Sequence, residues 1–230
     1  MIEAVTLDFG NTLVPVPGSA LRRVVELTAQ AMARRLGPFD AGQVLEVWCQ
    51  ERELQFREEV PQFREVDMAQ RIVRILARLR GMAPPADDVR WDDAAAAGRS
   101  DPAEVAWVVD VYSRAFVDAL PAAYGAGALI ERLARFSRVG ILSNWPLAAT
   151  IDRYCEAAGW TPHLSAIVVS QRVGTIKPHP AIFAAARDAL GGPPSASRAA
   201  AKIAGWGLMV PTRWLTTIAA RWGAQPAASQ

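Results

Sequence analysis

The chain has 230 residues, 51% hydrophobic and 21% charged, with 25 basic and 23 acidic side chains and a net charge of +2. That length holds one α/β domain plus a smaller insertion, and the composition is that of a globular protein rather than a disordered or fibrous one. No apolar run approaches the roughly 18 residues of a membrane-spanning helix, and the start, MIEAVTLDFG, carries Glu3 and Asp8 rather than the basic and apolar stretches of a signal peptide, so a cytoplasmic protein with no membrane partner is expected.

Ala4 to Leu7 (AVTL) form a short apolar run that ends at Asp8-Phe9-Gly10-Asn11, which is turn chemistry. This predicts a buried strand emptying into a loop. Pro15, Pro17 and Gly18 then make a stiff connector. Ser19 is placed to cap a helix through LRRVVELTAQAMARRL, stopped at Gly37. Asp40 caps a second helix, QVLEVWCQERELQFREE, and Asp67 a third, MAQRIVRILARLR, ended by Gly81. Residues 82–99, rich in Pro, Asp and Ala, are expected as loop. Asp101, Pro102 and Glu104 supply an N-cap, a first-turn proline and a capping-box glutamate for a fourth helix through Phe116. Four helices and no strand thus occupy residues 19–120.

The pattern then changes. Ala126 to Phe136 read as helix, Arg138 to Leu142 as a buried strand ending at Ser143-Asn144, and Pro146 to Gly159 as helix. Ala166 to Ser170 read as another strand, and Pro180 to Leu190 as helix. Strands alternating with helices predict an α/β fold with a parallel, doubly wound sheet. The predicted division is a Rossmann-like core of residues 1–16 and 122–230, interrupted by a helical domain at 17–121. Cys49 and Cys155 read as buried structural thiols, and the eight tryptophans as packing residues. His163 and His179 lack metal-ligand spacing and read as loop residues, while Arg52, Arg57 and Arg64 read as a solvated helix face.

Residues 189–230 contain Arg198, Lys202, Arg213 and Arg221 and no acid, whereas residues 1–188 hold all 23 acids. The tail's bases are dispersed, so nucleic acid is not an expected partner. A shifted reading frame in GC-rich DNA would produce such a tail.

In an open parallel sheet, ligands bind at the carboxyl ends of the strands. Three such ends carry polar residues: Asp8 to Thr12, Ser143-Asn144, and the loop leading into Gly174-Thr-Ile-Lys177-Pro178. Each has a plain alternative, since an aspartate or serine after a strand is commonly a turn former. Lys177 is less ordinary, because the chain has only two lysines and otherwise uses arginine as its cation.

In order and spacing, these stretches resemble the motifs of the haloacid dehalogenase-like hydrolase superfamily. The first motif reads Asp8-Phe9-Gly10-Asn11-Thr12, the second Gly-Ile-Leu-Ser143-Asn144, and the third Gly174-Thr-Ile-Lys177-Pro178, followed by Pro180, Ile182 and Phe183. The resemblance covers residues 1 to 190 and implies that the helical insertion is a cap over the site. It also implies Asp8 as nucleophile, with Lys177 neutralising negative charge. Thr12, Ser143, Asn144 and Lys177 would hold the substrate or its phosphate. Magnesium would bind Asp8 and a backbone carbonyl near Gly10.

Two departures qualify this. The family's phosphatases carry a second aspartate, a general acid and base, where this chain has Gly10. Their fourth motif ends a strand in Gly-Asp and supplies metal-binding carboxylates. Near 200–208 this chain reads Gly205-Trp206, and no acid follows Asp188. The implied function is a hydrolase of phosphatase ancestry acting on a small phosphorylated metabolite. The alternatives are a metal-independent dehalogenase-type hydrolase, and a non-catalytic member that binds a phosphorylated ligand or a protein partner. The oligomeric state is not legible.

Overall fold

A computed structural model describes residues 2–86 and 89–192, together with the strand pair 215–216. Strand β1 (Ala4–Leu7) lies at the centre of a parallel sheet. It pairs on one side with β2 (Arg138–Ser143), in the register Leu7 opposite Ile141. β2 pairs in turn with β3 (Ala166–Val169), Ser143 opposite Val169. On the other side β1 pairs with β4 (Leu215–Thr216), so the strand order is β3-β2-β1-β4. The α/β class with a parallel sheet is therefore as the alternating pattern predicted. β4 comes from the acid-free tail, where no strand was expected. The stretch foreseen for a fourth motif, at Gly205 and Trp206, lies outside the described residues.

Between β1 and β2 the described chain is helical: α1 (Gly18–Leu36), α2 (Ala41–Glu59), α3 (Met68–Leu79), α4 (Asp93–Ala97) and α5 (Pro102–Ala119). Three of these begin where capping chemistry placed them. Asp40 and Asp101 each complete a capping box, with Gln43 and Glu104, and the Asp67 carboxylate accepts the Gln70 N–H. α1 ends before Gly37 as forecast, but its start differs. Its N-cap is Pro17 and no side chain caps it, so Ser19 falls inside the first turn. α4 was read as loop; Asp92, accepting the Ala95 N–H at 3.0 Å, starts this short helix within the Ala-rich run.

After α5 the core adds α6 (Ala126–Ala134), which precedes β2, and then α7 (Ala148–Ala157), α8 (Ser170–Val173) and α9 (Pro180–Ala189). α8 departs from the reading, since Ser170 starts a short helix instead of ending β3. His179 N-caps α9 through its ring Nδ1, and His163 closes a 3₁₀ turn. Gly140, in mid-β2, permits close packing of the end of α9, because a Cβ there would stand 3.2 Å from Leu190 Cδ2.

One continuous core joins the sheet to the insertion. Phe9, Phe116, Ile130, Ile141 and Ile151 are fully buried in it with Leu76 and Met32. α5 packs on α7, where the buried hydroxyls of Ser113 and Thr150 bond at 2.9 Å. Trp48, Trp91 and Trp160 are buried, as packing residues should be. Cys155 is buried but Cys49 is exposed, so the expectation of two buried thiols fails for Cys49. Trp48, its neighbour in α2, takes the inward position instead. No described helix is long and apolar enough to cross a membrane.

Candidate active site

Asp8 leaves the sheet directly after the last paired residue of β1. Phe9 pins the turn that follows. Its ring is fully buried and meets Tyr154 and Trp145 edge-on, with centroids 5.2 and 6.0 Å away. Its carbonyl accepts the N–H groups of Thr12, Leu13 and Val14. Asn11 takes the left-handed conformation, φ 57°, which asparagine tolerates better than most residues. Its Oδ1 accepts the Val16 N–H at 2.9 Å and closes the turn. The Asp8 carboxylate is thereby held at the mouth, its side chain 44% exposed.

Lys177 arrives from the far side of β2, after Gly174 ends α8 in the left-handed region at φ 81°. Its ammonium donates to Asp8 Oδ1 and to the Leu142 carbonyl, both at 2.9 Å, and so bridges the exits of β1 and β2. Asn144 fixes the Lys177 backbone. Its Oδ1 accepts the Lys177 N–H at 2.7 Å, and its Nδ2 donates to the Lys177 carbonyl at 3.2 Å. The Phe9 N–H also donates to Asp8 Oδ1, at 3.0 Å. Asp8 Oδ2 carries none of these bonds.

The fold thus brings Asp8, Lys177 and Asn144 into one bonded unit. Ser143, 1% exposed, ends β2 between Leu142 and Asn144. Thr12 is half-buried in the Asp8 turn. Among the described residues, neither hydroxyl bonds to the Asp8–Lys177 pair. Gly10 lies under an aromatic wall: a Cβ there would stand 3.4 Å from Trp145 Cζ3.

Sequence reading missed the residues that build this wall. Ser170 Oγ accepts the Trp145 N–H at 2.8 Å and donates to the Glu65 carboxylate. Glu65 comes from the helical insertion, and burial raises its pKa while the Ser170 bond lowers it. Nearby, Gln171 donates to Asp67 at 2.8 Å and accepts the Ala148 N–H at 2.9 Å. The Met68 N–H donates to the Pro146 carbonyl, and the Phe63 carbonyl accepts from Ile176 N–H and Thr175 Oγ1. Residues 63–68 are therefore laced to the loops around the Asp8–Lys177 pair. Only Trp145, directly after Ser143-Asn144, had a positional signal; Glu65 and Ser170 belong to no motif.

Arg64 pairs with Glu59, and Arg52 lies over the Phe56 ring. Among the described residues, no group of three or more His, Cys, Asp or Glu is placed to hold a metal ion. The only acids outside those residues are Asp87 and Asp88, in the insertion.

A family model described as haloacid dehalogenase-like hydrolase matches residues 2–199. A 2-haloacid dehalogenase from Pseudomonas syringae pv. Tomato DC3000 is 17% identical, with TM-score 0.54, covering 84% of this chain and 74% of its own. The L-2-haloacid dehalogenase from Xanthobacter autotrophicus, with chloropropionic acid covalently bound, is 22% identical, with TM-score 0.45, covering 84% and 67%. The putative hydrolase YfnB from Bacillus subtilis, bound to magnesium, is 16% identical, with TM-score 0.47, covering 81% and 71%. No curated protein matches the chain. At these identities the likeness to solved structures is one of fold.

Proposed function

The chain belongs to the haloacid dehalogenase-like hydrolases, and we propose that it hydrolyses a small organic substrate by attack of Asp8 on carbon, without a metal ion. The observation that carries this reading is Gly10 beneath Trp145. Phosphatases of the family place a proton-donating aspartate there, and an alkoxide leaving group needs that proton. A positioned acid of this kind contributes about 10²- to 10⁴-fold. A halide leaves as a stable anion and needs none.

Electrostatics support the same reading. A phosphate dianion beside Asp8 would face one ammonium, that of Lys177, and family phosphatases relieve the repulsion with magnesium. Magnesium takes about six oxygen ligands, several from carboxylates. Here Asp8 is the only acid of the first motif, its Oδ1 is engaged by Lys177, and no acid follows Asp188. The donor set does not fit the ion, so no step is assigned to it.

In the proposed reaction Asp8 Oδ2 attacks the substrate carbon, and the leaving group departs with its bonding electron pair. This forms an aspartyl ester. Water then adds to the ester's carboxyl carbon. The product leaves as an alcohol after protonation from solvent, and Asp8 is restored. Lys177 on Oδ1 stabilises the charge that builds on that oxygen. Asn144 acts by positioning Lys177, since both ends of its amide are engaged on the lysine backbone. Ser143, Thr12 and the N–H groups at the strand exits are assigned to substrate. The helical insertion, residues 17–121, serves as the cap. The P. syringae neighbour is named for this reaction class.

The test is halide release from 2-chloropropionate and phosphate release from phosphomonoesters, each with magnesium and with chelator. Expected is halide release unaffected by chelator and lost in Asp8→Asn. Magnesium-dependent phosphate release would return the protein to the phosphatases. Saturable ligand binding without turnover would make it a non-catalytic member.

A further inference from the structure

The exit of β2 is tied to the insertion twice, through consecutive residues. Ser143 lies opposite Val169 in the β2–β3 register, so the first residues of α8 stand beside the turn that leads from β2 to α7. Ser170 accepts the Trp145 N–H at 2.8 Å and donates to Glu65. Gln171 accepts the Ala148 N–H at 2.9 Å and donates to Asp67 at 2.8 Å. Each side chain thus joins one backbone N–H of the turn to one carboxylate of the insertion.

The two ties end in different places. Asp67 also accepts the Gln70 N–H as the N-cap of α3, and Ala148 is the first residue of α7, so that tie joins two helix starts. Glu65 caps no helix; its other oxygen accepts the N–H of Val66, the next residue. Its tie ends on Trp145, the residue after Asn144. Asn144 clamps the Lys177 backbone with both ends of its amide, and the Lys177 ammonium donates to Asp8 at 2.9 Å. An unbroken path therefore runs from Glu65 through Ser170, Trp145, Asn144 and Lys177 to Asp8.

Ser170 makes this path sensitive to its far end. Its side chain is fully buried, and its hydroxyl has one hydrogen to give. Without Glu65 to take that hydrogen, the acceptor left to it is the Trp145 carbonyl, 3.5 Å away. A buried hydroxyl is costly to leave unpaired, and closing that gap moves the turn that carries Asn144.

We propose that Glu65 is a positioning residue for the reaction at Asp8, acting through Ser170 to fix the turn of Asn144 and Trp145 and, through Asn144, the Lys177 ammonium. This rests on the assignment of Asp8 as nucleophile and Lys177 as its partner, but one arm of its test does not depend on turnover.

Glu65→Ala, Ser170→Ala, the double variant and Glu65→Gln are compared with the wild type in two ways. The first is acylation of Lys177 by an N-hydroxysuccinimide ester, read by peptide mass mapping, with thiol labelling of the buried Cys155 as the control for unfolding. Expected is acylation of Lys177 about fivefold faster in Glu65→Ala and in Ser170→Ala, the population shift that loss of one hydrogen bond produces, with Cys155 unlabelled. The double variant should be no faster than either single one, because both remove the same tie. Glu65→Gln keeps an oxygen for the Ser170 hydroxyl and should retain most of the wild-type behaviour. The second is halide release per folded molecule, in which kcat should fall by up to about 10²-fold in the alanine variants with KM little changed. Alanine variants that melt lower but leave Lys177 acylation and kcat at wild-type levels would make the tie purely structural and overturn the proposal. So would additive effects in the double variant. Faster Lys177 acylation in a protein that releases no halide would leave the positioning role standing and remove the catalytic reading.

Discussion

At the residue scale, the site reduces to an ammonium shared between Asp8 Oδ1 and the Leu142 carbonyl. Lysine suits this place because it is a compact charge on a thin stem, whereas a planar guanidinium is built for forked acceptors. In the proposed reaction Lys177→Met removes the donor facing the oxygen on which charge would develop, so turnover should fall by about 10²- to 10³-fold, and Lys177→Arg should not restore it. Steady-state halide release on the two variants checks this. The thiols give a second prediction. Burial pushes the Cys155 pKa up to about 12, while Cys49 is exposed. Thiolate is the reactive form, so a thiol reagent should label the native protein at Cys49 and reach Cys155 only after denaturation. Peptide mass mapping distinguishes the sites. Asp8 and Ser143 were legible in the sequence because each closes a short apolar run, and Lys177 because it is one of only two lysines and stands before Pro178. Glu65 was not, because a tied glutamate and a surface glutamate look alike until their neighbours are known.

At the element scale, α3 is held by charge as well as by its apolar face. Arg74 is buried between Glu58 and Asp93. Arg74→Met leaves Glu58 without its counter-ion in a mostly buried place, whereas Asp93, 43% exposed, can rehydrate. The loss should be about 3 kcal/mol, the lower end for breaking a buried pair, measured by chemical denaturation. The segment 63–68 is joined to the core by Glu65, whose folded pKa burial raises above the ordinary 4.5. A raised carboxyl pKa favours the fold while the group is protonated, so its contribution is present below pH 4.5 and is lost as pH rises through the folded value. Glu65→Gln cannot ionise. Stability across that range should therefore fall less in the variant than in the wild type, and parallel curves would show that Glu65 is not the group responsible. The helices were legible where aspartate caps them, as at Asp40, Asp67 and Asp101. α1 was legible in its span and its stop at Gly37 but not in its start, which no side chain caps, and α4 escaped local reading because it is too short for its apolar spacing to register.

At the scale of the whole molecule, the insertion between β1 and β2 does more than cover the core. It supplies Glu65, which through Ser170 fixes Trp145 over Gly10. The sequence showed that an acid was missing at position 10 but not what stood in its place, because Trp145 lies far along the chain and meets Gly10 only through the parallel pairing of β1 and β2. The sheet was legible from alternation, except β4, which falls in a stretch without strand punctuation. The central claim is that Asp8 forms and then loses an ester. A single turnover of 2-chloropropionate in heavy-oxygen water, followed by mass spectrometry of the peptide containing Asp8, tests it most directly. If water adds at the carboxyl carbon of the ester, the heavy oxygen is expected in the Asp8 carboxylate and ordinary oxygen in the product hydroxyl. Heavy oxygen in the product, with an unlabelled Asp8, would contradict it.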